Sequence, residues 1–212
     1  MDRCKLVERR LKEIYVEPRA ELEFHNNFEL VVAVVLSAQC TDKRVNMVTR
    51  ELFRVAGTPE KMAQMPIEEI ETIIKPCGFY HSKAKSLKSL SEDIVNKFGG
   101  VVPADKGVLK MLRGVGEKTA NVVIANAYDT PAIAVDTHVF RVSNRLGIAS
   151  GKTPHAVQSQ LESNFPRDFW IDLHHSLVLH GRYVCKARKP DCNACRLKQY
   201  CKHYDEQVVT RA

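Results

Sequence analysis

The sequence predicts an all-α protein. Three observations carry that prediction. Apolar residues recur at three- and four-residue spacing along most of the chain, and N-cap and C-cap signals divide it into many short segments. No stretch alternates polar and apolar residues with the period of two that marks a half-buried strand.

The elements follow in order. Residues from about Asn27 to Gln39 are apolar nearly all round, which predicts a helix buried at the centre of a bundle, with amphipathic helices as its walls. A second helix starts near Thr41, shows Val45, Val48, Leu52 and Phe53 on one face, and is stopped by Gly57. Thr58-Pro59 and Thr153-Pro154 each read as an N-cap followed by proline at the first helical position, where its missing N–H costs nothing. Ile67, Ile70, Ile73 and Ile74 form a stripe ending at Gly78; Ala84, Leu87, Leu90, Ile94 and Phe98 form one ending at Gly99-Gly100. Further helices are predicted over Asp105 to Met111 and Glu117 to about Tyr128, and another from Asp136. No repeat, low-complexity tract or Pro/Gly-rich linker is present, so a second lobe has to be joined by short crossings, with Pro131 the best candidate.

With 212 residues, 44% hydrophobic and 27% charged, the chain fits one large domain or two modest lobes and excludes wholesale disorder. The charged N-terminus MDRCKLVERRLKEIY offers no signal-peptide core, and the longest apolar run, Leu30 to Leu36, is far short of the roughly 20 residues of a membrane helix. The expectation is a cytoplasmic protein with no membrane partner. In that compartment seven cysteines point to metal binding, catalysis or core packing rather than disulfides. A net charge of +7 favours a polyanionic partner, although a mildly basic enzyme shows the same sum. Its distribution says more: Arg182 to Lys202 holds seven Lys or Arg, one acid (Asp191) and four cysteines.

Leu112-Arg113-Gly114-Val115-Gly116 lies between two predicted helices. Gly114 and Gly116 permit a sharp turn and close approach of a ligand, while Val115 plugs the turn into the core. The amides at the start of the next helix then form an anion site suited to a DNA phosphate. On the glycines alone, an ordinary helix–helix turn is the stronger reading. Lys118 follows in the first turn of that helix, where the positive end of the macrodipole and any partial burial favour the neutral, nucleophilic amine. A plain surface lysine is the commoner fate. Asp136, after the apolar Ile133-Ala134-Val135, reads equally as an N-cap. Cys185, Cys192, Cys195 and Cys201, with one C-x-x-C, fit zinc or an iron–sulfur cluster, and chemistry alone leans to zinc. Cys4, Cys40 and Cys77 lack ligand spacing and read as free thiols.

Taken together, LSAQCTDKRVN (36–46), LRGVGEKTANVV (112–123), AVDTHVFRVSNR (134–145) and HHSLVLHGRYVC (174–185) closely resemble the endonuclease III family of helix-hairpin-helix glycosylases, over almost the whole chain. The resemblance implies two helical lobes: a six-helix bundle over 21–131 containing the hairpin (about 105–125), and a lobe of 1–20 plus 132–212 carrying the cluster loop 185–201, with the substrate cleft between them. It turns the four-cysteine reading to a structural 4Fe-4S cluster that shapes a basic loop with Arg188 and Lys189.

It also implies an enzyme that excises damaged, mainly oxidised, pyrimidines from double-stranded DNA and cleaves the abasic site by β-elimination. Lys118 would attack C1′ and form the imine, assisted by Asp136. Gln39 and Phe79 would fill the gap left by the extruded nucleotide, and Gly114, Gly116 and Thr119 would meet the DNA backbone. His138 and Asp42 match positions that line or support the pocket, and hydrogen bonding in the core is an equal account of both. His174, His175 and His180 read as packing and capping residues. The family works as a monomer, in a compact bacterial or archaeal form associated with the nucleoid. Arg113, Phe79 and Cys40 depart from the residues common at their positions; Arg113 would add a phosphate contact, while Phe79 and Cys40 leave the lesion spectrum open. A water-using glycosylase of the same superfamily is disfavoured by Lys118, and a purely DNA-binding protein by Lys118 together with Asp136.

Overall fold

The structure is a computed structural model that describes residues 2–211, with side chains described through Glu206. Among the described residues it contains twelve α-helices, three short 3-10 turns and no strand. No helix is long and apolar enough to cross a membrane among the described residues. The chain divides into two compact units, Glu21–Thr130 and Met1–Ala20 with Pro131–Ala212.

The first unit is built around α2 (Asn27–Leu36), in which every residue from Phe28 to Leu36 is buried. Asn26 caps it by accepting from the Glu29 amide at 2.9 Å, and the buried Glu29 carboxylate accepts from the His25 amide at 2.7 Å. This helix ends at Leu36, three residues before the predicted Gln39. The reason is Lys83, whose Nζ donates to the carbonyl oxygens of Leu36 and Ala38 and so satisfies the helix end where the chain turns away. Around α2 stand α3 (Asp42–Ala56), α4 (Pro59–Gln64), α5 (Ile67–Ile74), α6 (Tyr80–Phe98), α7 (Lys106–Leu109) and α8 (Glu117–Tyr128). Each wall helix buries one stripe: Val45, Val48 and Leu52 on α3; Ile70 and Ile74 on α5; Leu87, Leu90 and Ile94 on α6. Fully burying a side chain of this size stabilises by roughly 1.5–3 kcal/mol. Thr58 caps α4 as predicted, accepting from the Lys61 amide at 3.4 Å.

The second unit comprises α1 (Arg3–Ile14), α9 (Thr137–Leu146), α10 (Pro154–Asn164), α11 (Trp170–Tyr183) and α12 (Lys202–Arg211). Its core joins Val7 and Leu11 of α1 to Val139, Val142 and Leu146 of α9 and to Leu173 and Leu177 of α11. Thr153 caps α10 by accepting from the Ala156 amide at 3.2 Å. After α11 the chain has little regular structure until the 3-10 turn Lys198–Tyr200; this segment carries Cys185, Cys192 and Cys195, and Cys201 directly follows the turn.

Candidate functional site

The hairpin forms between α7 and α8. Regular helix before it spans only Lys106–Leu109, capped by Asp105, so the predicted helix to Met111 is shorter than expected; Lys110 to Leu112 continue as turns. Val115 is buried, as its plug role requires. Gly114 adopts φ 85°, and a Cβ there would stand 2.9 Å from the Ser86 Cβ on α6. Its need for glycine is therefore internal, a left-handed turn against α6, rather than approach to a ligand. Gly116 differs: a Cβ on it would meet nothing within 4 Å, so the outer face of the turn is open. Gly116 is also the N-cap of α8, and no side chain caps the amides that follow. Thr119 is half-buried in the first turn, and Arg113 is exposed. Glu117 pairs with Lys106 and, at 2.7 Å, with Lys110; these two hydrogen bonds hold its carboxyl below the usual range.

Lys118 is the second residue of α8 and is exposed. The partial burial expected for it is thus absent. In the other unit, Asp136 is the N-cap of α9, with Oδ1 accepting from the amides of His138 at 2.8 Å and Val139 at 2.7 Å. Both bonds fall on one oxygen. The cap fixes the carboxylate while Oδ2 accepts neither amide. The buried run Ile133-Ala134-Val135 anchors the chain just before it. His138 is half-buried; its Nδ1 faces Arg141 Nη2 at 3.2 Å, and burial pushes its pKa down. A Cβ on Gly181 would come within 2.8 Å of the His138 Cβ, so α11 packs tightly against this ring.

Cys185, Cys192, Cys195 and Cys201 line one cavity of about 340 Å³, counting its opening to solvent. Arg145 Nη1 donates to Cys185 Sγ at 3.4 Å and to the Lys186 carbonyl at 2.7 Å, and its Nη2 donates to the Ala187 carbonyl at 3.0 Å. His180 Nε2 lies 3.6 Å from Cys195 Sγ, and its Nδ1 lies 2.9 Å from the Tyr15 hydroxyl. Burial pushes the thiols of Cys195 and Cys201 up, so a thiolate at either position needs a cation beside it. Among the described residues no three His, Cys, Asp or Glu side chains converge where a single ion would sit. Arg188 and Lys189 are exposed in the loop, and Lys189 holds φ 52°. His174, His175 and His180 are all buried, but His180 does more than pack: it supports a terminal cysteine.

Gln39 and Phe79 are both exposed, Phe79 at 69%, which removes the reading in which its ring closes a loop over the core. Both hold left-handed backbone, φ 54° and 48°. Asp42 is the first residue of α3. Cys40 and Cys77 are neighbours rather than isolated thiols: burial first, and then Cys40, pushes the Cys77 thiol up to about 12. Sequence reasoning missed Lys83, Arg141 and Arg145, and gave His180 only packing and capping. The signal for the arginines was present, since Arg141 and Arg145 are four apart and share one face of α9.

Residues 32–167 match the model of the HhH-GPD superfamily, base excision DNA repair proteins. Endonuclease III of Haemophilus influenzae is 44% identical over 210 residues, 98% of this chain and 99% of the relative. Two solved structures of endonuclease III with DNA, a non-covalent complex and a trapped covalent intermediate, each give a TM-score of 0.92 at 39% identity. The first covers 99% of both chains; the second covers 98% of this chain and 99% of the other.

Proposed function

The chain belongs to the HhH-GPD superfamily of base-excision DNA repair proteins, and from that premise we propose a bifunctional DNA N-glycosylase and abasic-site lyase of the endonuclease III type. Its substrate is double-stranded DNA bearing a damaged, mainly oxidised, pyrimidine or an abasic site, and it works in the cytoplasm as a monomer. The observation that carries the reading is Lys118, an exposed amine in the first turn of α8, directly beyond a hairpin whose outer face is open.

The residues divide the work as follows. The uncapped amides after Gly116, with Thr119, hold a phosphate of the DNA backbone. Gln39 and Phe79 occupy the space left by the extruded nucleotide, which lowers the net cost of unstacking, on the order of a few kcal/mol. The Asp136 carboxylate, held through Oδ1, offers Oδ2 to stabilise positive charge on the sugar as the base departs. The Lys118 lone pair forms the bond to C1′ as the bond to the base breaks. The sugar ring then opens to an imine. A C2′ proton then passes to solvent water as the C2′–C3′ double bond forms and the C3′–O bond breaks, which expels the 3′ phosphate and cuts the strand.

Cys185, Cys192, Cys195 and Cys201 would hold a 4Fe-4S cluster, a reading supported by the one cavity that all four thiols line. That group would supply iron–thiolate bonds that brace the segment bearing Arg188 and Lys189 against a DNA phosphate.

Borohydride trapping on a duplex with one abasic site tests the reading. The native chain should give a covalent adduct that Lys118→Ala does not. Tight binding without a native adduct would assign water as the nucleophile, or no catalysis at all.

A further inference from the structure

We infer that Lys83 is a positioning residue for base extrusion: its buried ammonium ties the backbone that presents Gln39 to the backbone that presents Phe79, so that the two side chains act as one device. The inference rests on the proposed function, in which Gln39 and Phe79 fill the vacated space.

Lys83 lies in the first turn of α6 and is only 7% exposed. Its Nζ donates to the carbonyl oxygens of Leu36 at 2.9 Å, Ala38 at 2.8 Å and Cys77 at 3.0 Å. An ammonium has three donors, and all three are used on main-chain carbonyls. A buried lysine is an expensive way to finish a helix, since glycine or solvent would serve the end of α2. What the three acceptors share explains it. Leu36 and Ala38 form the stem that leads to Gln39, and Cys77 immediately precedes Gly78 and Phe79. Two segments far apart in sequence thus lie within 3.0 Å of one nitrogen.

The residues presented by these stems carry strain. Gln39 and Phe79 are two of five non-glycine residues with positive φ among the described residues. A left-handed L residue persists only where its surroundings over-determine it.

Lys88, one turn further along α6, provides an internal control. Its Nζ donates to the carbonyls of Ala63 and Met65, the latter at 2.8 Å, and finishes α4 in the same manner without touching either stem.

The test compares Lys83→Met with Lys88→Met, each in the native chain and in a Gln39→Ala/Phe79→Ala background. Two readouts are taken: single-turnover excision of thymine glycol from a duplex, and borohydride trapping on an abasic site in single-stranded DNA, which requires no gap to be filled. Lys83→Met should slow duplex excision by on the order of tenfold to a hundredfold, keep trapping on the single strand, and cause no further loss in the double-variant background. Lys88→Met should leave the duplex rate near native. Equal losses from the two lysine variants, or the same fold-loss from Lys83→Met in both backgrounds, would overturn the inference alone. Native-rate excision by Gln39→Ala/Phe79→Ala would overturn it together with the reading on which it rests. Should Lys83→Met not fold, Lys83→Gln, with two N–H donors for three carbonyls, makes the same comparison with a smaller expected loss of duplex excision.

Discussion

Replacing Phe79 by glycine and by alanine separates the backbone role of this position from its side-chain role. Phe79 is the residue before α6, with φ 48° and ψ 26°. An L residue in this left-handed region costs roughly 1–2 kcal/mol, which glycine escapes. Glycine in turn loses more chain freedom on folding, roughly 0.5–1 kcal/mol relative to alanine. The balance makes Phe79→Gly about 0.5–1 kcal/mol more stable than Phe79→Ala, the reverse of the order within an ordinary helix. For a chain of this size that is roughly 1–4 °C in Tm. Removing the ring adds little to either, because it is already 69% exposed. Thermal unfolding followed by circular dichroism gives the order of the two variants, and single-turnover excision from a duplex should fall equally in both. An alanine variant as stable as the glycine variant would refute the strain argument. Native excision rates in either would refute the wedge.

Three further outcomes are expected. Asp136→Asn keeps the oxygen that accepts from the His138 and Val139 amides, so its melting temperature and DNA affinity should stay near native while turnover falls on the order of a hundredfold or more; single-turnover kinetics that match native would remove Asp136 from the chemistry. Gly116→Ala, with no atom within 4 Å of the new Cβ, should fold normally but bind duplex DNA more weakly, whereas Gly114→Ala should lose stability outright; binding titrations and melts distinguish them, and undiminished DNA binding by Gly116→Ala would take the phosphate away from this turn. His175 has its pKa pushed from 6.5 down to about 3, by burial first and then by His174, so the folded chain stays neutral there while the unfolded chain takes up a proton below about pH 6.5. Its contribution is fully present above that pH and is lost toward pH 3 at about 1.4 kcal/mol per unit, so denaturant melts between pH 6 and 4 should show a shallower slope for His175→Gln; an unchanged slope would count against this source of acid lability.

The helices were legible because their boundaries are local. Thr58-Pro59 and Thr153-Pro154 form caps wherever the rest of the chain goes, and the isoleucine stripe of α5 needs only a core to face. The early end of α2 was not legible. Its apolar pattern continues to Ala38, and what stops it is an ammonium contributed by Lys83, more than forty residues later. Lys83 itself reads as one more charge beside a stripe, since pattern cannot show which cation is drawn inward. The same holds for Arg145 and His180: helical spacing puts them on their helices, and only the packing of α9 and α11 brings them to Cys185 and Cys195. Positive φ at Gln39, Phe79 and Lys189 was equally invisible, since no propensity marks a glutamine, phenylalanine or lysine for that region.

Several candidate side chains share a place in the secondary structure. Lys118 and Thr119 stand in the first turn of α8, Asp136 caps α9, Phe79 precedes α6, and Gln39 follows the end of α2. Helix termini expose unpaired amides and carbonyls, so a residue placed there is held by the rigid helix while its free atoms face outward. For that reason the two readings of Asp136, as cap and as catalytic group, are not rivals. A carboxylate has two oxygens; α9 takes two hydrogen bonds on Oδ1, which fixes the direction of Oδ2 without engaging it with either amide. The amides that define the helix start are therefore also what would aim the second oxygen at a sugar, and a residue that only capped would have no need of a second oxygen. Serine would cap α9 about as well as aspartate, so an Asp136→Ser protein that melts normally and turns over at the native rate would show that the cap alone accounts for this residue.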